Sequence, residues 1–537
     1  MKKSVLFLLI LLFISASIYL LALSNSTRYY SYEDIYGPFT NNLMLLIAFS
    51  LLVITLYICT IRFEKLTLLT CLSVVLFVLC KYFFPDFFDR FYAFSFYDAG
   101  GHMIRGKYVT LTGHSNPEVD SYFDLQPGFF WTTATLLNIV STPLTPNSPV
   151  FGFLTKWFEV LIATLYLPIL MYVMRSANVK SLGLAMLIVY GVDFTHLHYH
   201  AELHADVLYW LLLSLLLSKA IERKAILLMI VLGTAIIFIH QGVALVTLIS
   251  IGSLASILIF SKALKRNSKA SQYRMLPTLT LLMLVIWLTY LLYISKYSFP
   301  QFVSIAKYVV TKYLLEPGQP IASAVKRHYK PWEEVVLLKA LFMISVILSS
   351  IFINLLLFVK SRELSYLSRT MIMLSATALV GAIGLALGGA AYVERLMKWL
   401  APLIAISLVN AKKMYGKGLA SMLIRLLLIL AITLGTVLYF TGRNFQSIPY
   451  SLTHLRFLDE YYEPYQEIRY YEHVVGISWY FQGSKTSFIL ISDQDLIQYL
   501  YYRVGELATL KSDMAKIINN SDVVFSTPSG LLCRIVA

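Results

Sequence analysis

Three stretches of the chain carry residue types that proton transfer, phosphate binding or metal ligation require. The first reads Phe96-Tyr97-Asp98-Ala99-Gly100-Gly101-His102-Met103, passes through Gly113-His114, and continues as Tyr122-Phe123-Asp124-Leu125-Gln126-Pro127-Gly128. Asp98 and His102 are spaced i, i+4, so on a helix they share a face. A carboxylate there can take a proton from an acceptor hydroxyl. The glycine pair lets backbone approach a ligand closely. The plainer alternative is a polar loop that turns at Gly100-Gly101.

The second stretch runs Thr195-His196-Leu197-His198-Tyr199-His200-Ala201-Glu202-Leu203-His204-Ala205-Asp206. His200 and His204 are spaced i, i+4, as are Glu202 and Asp206. Neutral imidazoles and carboxylates at this spacing can ligate a divalent metal, which makes His200, His204 and Asp206 the metal candidates. The same cluster, with His198 and Glu202, can instead hydrogen-bond a phosphate or a sugar. A solvated hairpin with interfacial histidines is the alternative. His240-Gln241 ends a later apolar run, where His240 is a ligand candidate or a helix cap. Asp193 sits near the end of a short apolar run. An acid at the bilayer centre costs about 3 kcal/mol, so Asp193 is expected to face a polar cavity.

The third stretch is Tyr392-Val393-Glu394-Arg395-Leu396-Met397-Lys398-Trp399. A guanidinium at headgroup level suits a phosphate, held through a bidentate fork. The alternative is a Glu394–Arg395 pair that snorkels to the interface. Glu316-Pro317-Gly318-Gln319-Pro320 and Lys326-Arg327-His328 form a further phosphate-capable group of low specificity.

The elements that must position these groups are apolar. Of 537 residues, 58% are hydrophobic and 14% charged, and mean hydropathy is +0.71. Such a chain has too little charge to cover a soluble surface, so lipid is the expected solvent. The net charge of +15 sits in short clusters between apolar runs, which argues against nucleic acid as a partner. Cys59, Cys71, Cys80 and Cys533 are too few for a disulfide framework and have no metal-type spacing. Apolar runs fall near 4–23, 42–61, 66–84, 151–174, 181–195, 204–218, 225–240, 242–260, 276–294, 336–359, 370–391, 396–410 and 419–440, which predicts about 13 spans. The first follows Lys2-Lys3 and reads as an uncleaved span, not a signal peptide.

Basic residues mark every second connection: Arg62/Lys65, Arg175/Lys180, Lys219/Arg223/Lys224, the group from Lys262 to Arg274, Lys360/Arg362/Arg369 and Lys412/Lys413/Lys417. That side is expected to be cytoplasmic, with the N-terminus. Arg395 and Lys398 lie outside this pattern. The other side takes the loops 85–150 and 295–335 and the C-terminal segment 441–537. In that segment, strands are expected at Ser487–Ser492, from Asp522 to Phe525 and from Leu531 to Val536, with a helix from Asp493 to Tyr502. The expectation is a polytopic α-helical membrane protein with a small extracytoplasmic α/β domain.

These residues, in this order, resemble the GT-C class of membrane glycosyltransferases. Those enzymes move sugars from polyprenyl-phosphate carriers, and they include protein O-mannosyltransferases, the lipid A aminoarabinose transferase and archaeal members. The Tyr-Asp-x-x-x-His stretch at 97–102, Tyr122 and Pro127-Gly128 look like the first outer loop of that class. His198 to Asp206, His240-Gln241, and Glu394-Arg395 with Ala401-Pro402 look like its later segments, and Trp479 and Ser492-Asp493 fall in a typical outer domain. The resemblance covers most of the chain from about 85 onward. It implies a GT-C-like membrane domain over 62–440, preceded by a two-span extension at 1–61 and followed by the outer domain at 441–537. It implies Asp98 as base or acceptor-orienting acid with His102 beside it. Tyr122, Asp124, His198, Glu202, His240, Gln241, Arg395 and Lys398 would contact substrate. A divalent metal would be the one cofactor. Partners would be the lipid-linked sugar donor, a protein, glycan or lipid acceptor, and membrane lipid of the plasma membrane. The class often has a second acid beside the loop Asp; here Ala99 and Gly100 stand there, and Asp120 or Asp124 is the substitute.

Two other functions fit a many-span chain. A secondary transporter would show two similar halves and polar groups deep in broken helices; no internal repeat is evident. A lipid-linked-glycan ligase or polymerase would depend on an outer Arg/His pair without the loop acid.

Overall fold

The computed structural model describes residues 3–26, 43–62, 67–83, 102, 105–106, 108–110, 112–115, 117, 122–140, 158–193, 200–218, 223–263, 275–295, 299–300, 303, 331–361, 370, 373–378, 391–414, 419–446, 488–492, 521–527 and 530–535. Uncharged runs of Leu, Ile, Val and Ala become helices, the element that satisfies its backbone polar groups internally. In chain order these are α1 (Lys3–Ser26), α2 (Leu43–Arg62), α3 (Thr67–Val78, continued by a π-helical turn at Leu79–Phe83), α4 (Tyr122–Leu125), α5 (Pro127–Val140), α6 (Phe158–Ser176) and α7 (Leu182–Val192). They continue as α8 (Ala201–Leu217), α9 (Arg223–Ile239), α10 (Gln241–Ala263), α11 (Leu276–Thr289, continued by a π-helical turn at Tyr290–Ile294), α12 (Pro331–Ser361), α13 (Ala391–Met414) and α14 (Leu419–Gln446). Hydroxyls inside them fold back on their own helix: Thr247 Oγ1 donates to Val243 O at 2.8 Å, Ser350 Oγ to Val346 O at 2.8 Å and Ser407 Oγ to Leu403 O at 2.7 Å. Such polar side chains therefore need no water.

The chain divides into two compact units. The first comprises Met1–Phe88, Val160–Leu197 and Glu202–Asn444. Within it α1 packs on α2, α2 on α3, and α12 on α13, while α9, α10 and α11 pack on one another. α7 is the central helix: it packs against α2, α3 and α13, and every residue from Gly183 to Val192 is buried. Two glycines allow this. A Cβ on Gly191 would meet Ile432 Cγ2 at 2.7 Å, and one on Gly435 would meet Gly191 O at 2.2 Å. α7 and α14 thus approach through small residues, as membrane helices do.

Large apolar side chains face outward on the same helices: Phe7 and Phe13 on α1, Leu281 on α11, Leu348 and Phe352 on α12, and Leu427 on α14. Two helices, Val5–Ala22 and Leu276–Ile294, are long and apolar enough to cross a membrane. Ile47–Ile61, Thr70–Phe83, Leu182–Val192, Gln241–Ser256, Leu341–Leu355 and Arg425–Leu438 are apolar but shorter. The described residues therefore establish a predominantly helical chain with two helices of spanning length, fewer than the roughly 13 crossings that hydropathy predicts.

The second unit comprises Asp89–Glu159, His198–Ala201 and Phe445–Ala537. Hydropathy did not predict its helices α4 and α5, which lie in the expected outer loop. Tyr108, Phe123, Phe129 and Phe130 form an aromatic cluster, with Tyr108–Phe123 centroids 5.1 Å apart and Phe123–Phe130 centroids 5.3 Å apart. Gly106 lets its helical segment touch α5, since a Cβ there would meet Thr133 Cγ2 at 2.2 Å. Gly113, at φ 72°, ends that segment, its N–H donating to Val109 O at 2.9 Å. Near the C-terminus, β1 (Phe488–Ser492), β2 (Ser521–Thr527) and β3 (Gly530–Ile535) form an antiparallel sheet in the order β1-β3-β2, with a bulge between Val523 and Phe525. The helix expected at 493–502 lies outside the described residues.

Candidate functional site

The first two turns of α8 place Glu202 and Asp206 on one face, and the N-terminal half of α13 places Arg395, Lys398 and Trp399 against them. Arg395 Nε lies 3.3 Å from Glu202 Oε2. Lys398 Nζ lies 3.9 Å from Glu202 Oε1 and is ion-paired to Asp206 Oδ2. Trp399 Nε1 donates to Asp206 Oδ1 at 2.8 Å. Two acids meet two cations, so formal charge balances. Both carboxylates and Lys398 are essentially fully buried, whereas the Arg395 side chain is 26% exposed. Burial on this scale makes each pairing obligatory, because a lone ion left inside would be far more costly than the pair.

His240 and Gln241 occupy the break between α9 and α10. His240 Nδ1 accepts the Val243 N–H at 3.2 Å, so the imidazole caps α10. Gln241 Nε2 donates to Ile237 O at 2.7 Å, and its Oε1 accepts Trp287 Nε1 at 2.9 Å. A Cβ on Gly242 would meet His240 Cε1 at 3.0 Å and Trp399 Cη2 at 3.7 Å, which sets His240 beside the α13 tryptophan. The pair therefore has structural work at the edge of the charge network.

Asp193 follows the last turn of α7 and lines a cavity of about 10 Å³ with Tyr82, Tyr166, Tyr190, Trp210 and Lys398. That is room for about one water. The Tyr166 and Trp210 rings meet edge to face at 4.5 Å, and the Tyr166 hydroxyl donates to Leu203 O at 2.6 Å. Lys81, wholly buried, donates from Nζ to the carbonyls of Tyr190 and Asp193. It supplies the donors that the C-terminal carbonyls of α7 lack.

In the second unit, His102, Arg105 and Asp124 are all buried. The His102 ring packs edge to face on Phe129 at 5.2 Å and tilted on Phe130 at 6.0 Å. His102 and Asp124 were expected from sequence to belong to the site; Arg105 was not. Tyr122 opens α4. Asp98, His198 and Asp120 lie outside the described residues. His200 is buried, and His204 is partly exposed on α8.

The metal set His200, His204 and Asp206 is not assembled. Among the described residues no group of three His, Cys, Asp or Glu side chains stands together to hold an ion. The reason is visible at Asp206, whose two oxygens are engaged by Lys398 and Trp399.

Sequence reasoning passed over Lys81, Trp399, Tyr166 and Trp210. For Lys81 the signal was present, since a lone lysine inside the apolar run 66–84 needs partners. The aromatics carry no such signal, because Tyr and Trp are common in apolar helices. No family model, curated protein or solved structure matches the chain.

Proposed function

We propose that this chain is a multi-pass membrane glycosyltransferase, which moves a sugar from a polyprenyl-phosphate carrier to a protein, glycan or lipid acceptor on the outer face of the plasma membrane. The observation that carries the reading is Arg395: it is half-buried, held by the fully buried Glu202 and backed by the Lys398–Asp206 pair. A cation fixed in this way meets a developing phosphate charge without reorganisation. The outward apolar faces of α1, α11, α12 and α14 support a lipid surround. The alternating basic connections support about 13 spans, with the N-terminus cytoplasmic. The sheet of β1 to β3 is then part of an outer α/β domain, and residues 1–61 are an extension.

The reaction is an inverting displacement. The acceptor oxygen bonds to the sugar's anomeric carbon as the bond from that carbon to the carrier phosphate breaks. The acceptor proton goes to the Asp98 carboxylate, the role the resemblance implies, with His102 beside it in sequence. The leaving polyprenyl phosphate keeps the bonding pair, and Arg395 neutralises the charge. The test is transfer from a panel of polyprenyl-phosphate sugars by purified protein in lipid, comparing wild type, Arg395→Ala and Asp98→Asn. Loss of transfer in both variants supports the reading, and full transfer by either removes its role.

One observation favours transport as a second reading. A buried lysine between two buried acids is also how a carrier relays charge through its helices. Uptake of a labelled sugar or glycolipid into the same vesicles, without transfer, would select it. A ligase or polymerase would retain activity in Asp98→Asn.

A further inference from the structure

At the opposite end of α7 from Asp193, a second cavity of about 90 Å³ opens between α3, α6 and α7. Its rim carries Arg175 and Lys180, both exposed, and the buried Thr70 is part of its lining. Its walls are apolar, formed by Val74, Leu167 and Met171. The local chain builds this arrangement. α6 ends at Ser176, and Asn178 takes a left-handed turn at φ 56°, with its N–H donating to Arg175 O at 2.9 Å and the Val179 N–H donating to Met174 O at 2.9 Å. That reversal returns Lys180 to the end of the helix that carries Arg175, and α7 begins two residues later. At the start of α7 the Leu182 N–H donates to Lys180 O at 3.1 Å, and the Ser181 side chain does not cap the helix. Two exposed cations at the start of a helix thus flank a pocket whose lining includes the apolar side chains of Val74, Leu167 and Met171.

We infer that this pocket binds an anionic phospholipid of the cytoplasmic leaflet, its phosphate between Arg175 and Lys180 and the start of an acyl chain along Leu167 and Met171. The inference rests on reading this end of α6 and α7 as lying at the cytoplasmic face of a membrane. Charge complementarity selects the occupant. A neutral or zwitterionic lipid would leave the two cations without net compensation, and a soluble anion would leave the apolar walls unused. Basic pockets between membrane helices on the cytoplasmic side bind anionic headgroups by the same electrostatics.

The test uses delipidated full-length protein in detergent, with bound lipid counted by native mass spectrometry as phosphatidylglycerol or phosphatidylcholine is added. Wild type is expected to hold phosphatidylglycerol more tightly, and Arg175→Gln/Lys180→Gln to weaken that binding by about thirtyfold. Met171→Trp, which fills the apolar wall, is expected to weaken it with the cations intact. Because Arg175 and Lys180 are exposed, the single variant Lys180→Gln serves if the double variant is not recovered, with a smaller loss in the same direction. Equal retention of both lipids, or equal retention by wild type and the cation variant, overturns the inference. So does competition by free glycerol phosphate at the concentration at which phosphatidylglycerol binds, which would make this a soluble-anion site. Sugar transfer does not enter the readout, so a failed glycosyltransferase assignment leaves the result interpretable.

Discussion

The two ends of α7 use basic residues in opposite ways. Beyond its C-terminal end, Lys398 and Lys81 are buried, the first paired to Asp206 and the second bonded to backbone carbonyls. At its N-terminal end, Arg175 and Lys180 are exposed on the rim of an open pocket. The helix between them has 11 residues, about 16 Å of rise. A buried cation must be compensated from within, so its role is to hold geometry. An exposed cation beside hydrocarbon is compensated from outside, so its role is to bind. Arg395, partly exposed yet paired to Glu202, combines the two conditions, which is why the catalytic proposal centres on it.

The largest effect is expected at Lys398. Lys398→Met leaves Glu202 and Asp206 buried with one cation between them, and should lower stability by about 3–5 kcal/mol, read as thermal unfolding in lipid nanodiscs. Adding Asp206→Leu should recover most of that loss; no recovery would mean that Lys398 acts through packing. Next is Gly435→Ala, which drives a methyl into Gly191 O and should cost about 1–3 kcal/mol by the same measurement. An unchanged midpoint would show that α7 and α14 are not in close contact. Trp399→Phe removes the indole donor to Asp206 and should cost about 1–3 kcal/mol. The smallest effect belongs to the exposed end. Arg175→Gln/Lys180→Gln should shift unfolding by no more than about 0.5 kcal/mol in detergent free of lipid, and a large loss there would erase the contrast between the two ends.

Much of this was legible in the residue pattern. Apolar runs located α1, α2 and α9 to α11 closely, because a long uncharged run of Leu, Ile and Val satisfies its backbone polar groups within itself as a helix. The strands β1 to β3 fall where alternation placed them. Glu202, Asp206, Arg395 and Lys398 were each visible as polar residues at the ends of apolar runs. Their mutual pairing was not, because Trp399 and Asp206 are 193 residues apart in the chain, and spacing says nothing at that distance. The i, i+4 spacing of His200 and His204 suggested a metal, but spacing cannot show that Asp206 is already engaged by α13. His240 reads from sequence as a ligand candidate with a helix cap as the alternative; the Val243 N–H bond to its Nδ1 gives it a capping contact. The π-helical turns after α3 and α11 had no sequence signature, and one of them carries Lys81.

The most direct measurement is single-turnover sugar transfer from a polyprenyl-phosphate donor in lipid, comparing wild type with Arg395→Ala at saturating donor. Transfer by wild type and a loss of about 10²–10³-fold in the variant, with unfolding moved by about 1 kcal/mol or less, is the expected result for a phosphate-neutralising residue at a partly exposed position. Equal rates in the two proteins would contradict that role, and uptake without transfer in both would replace the enzyme with a transporter.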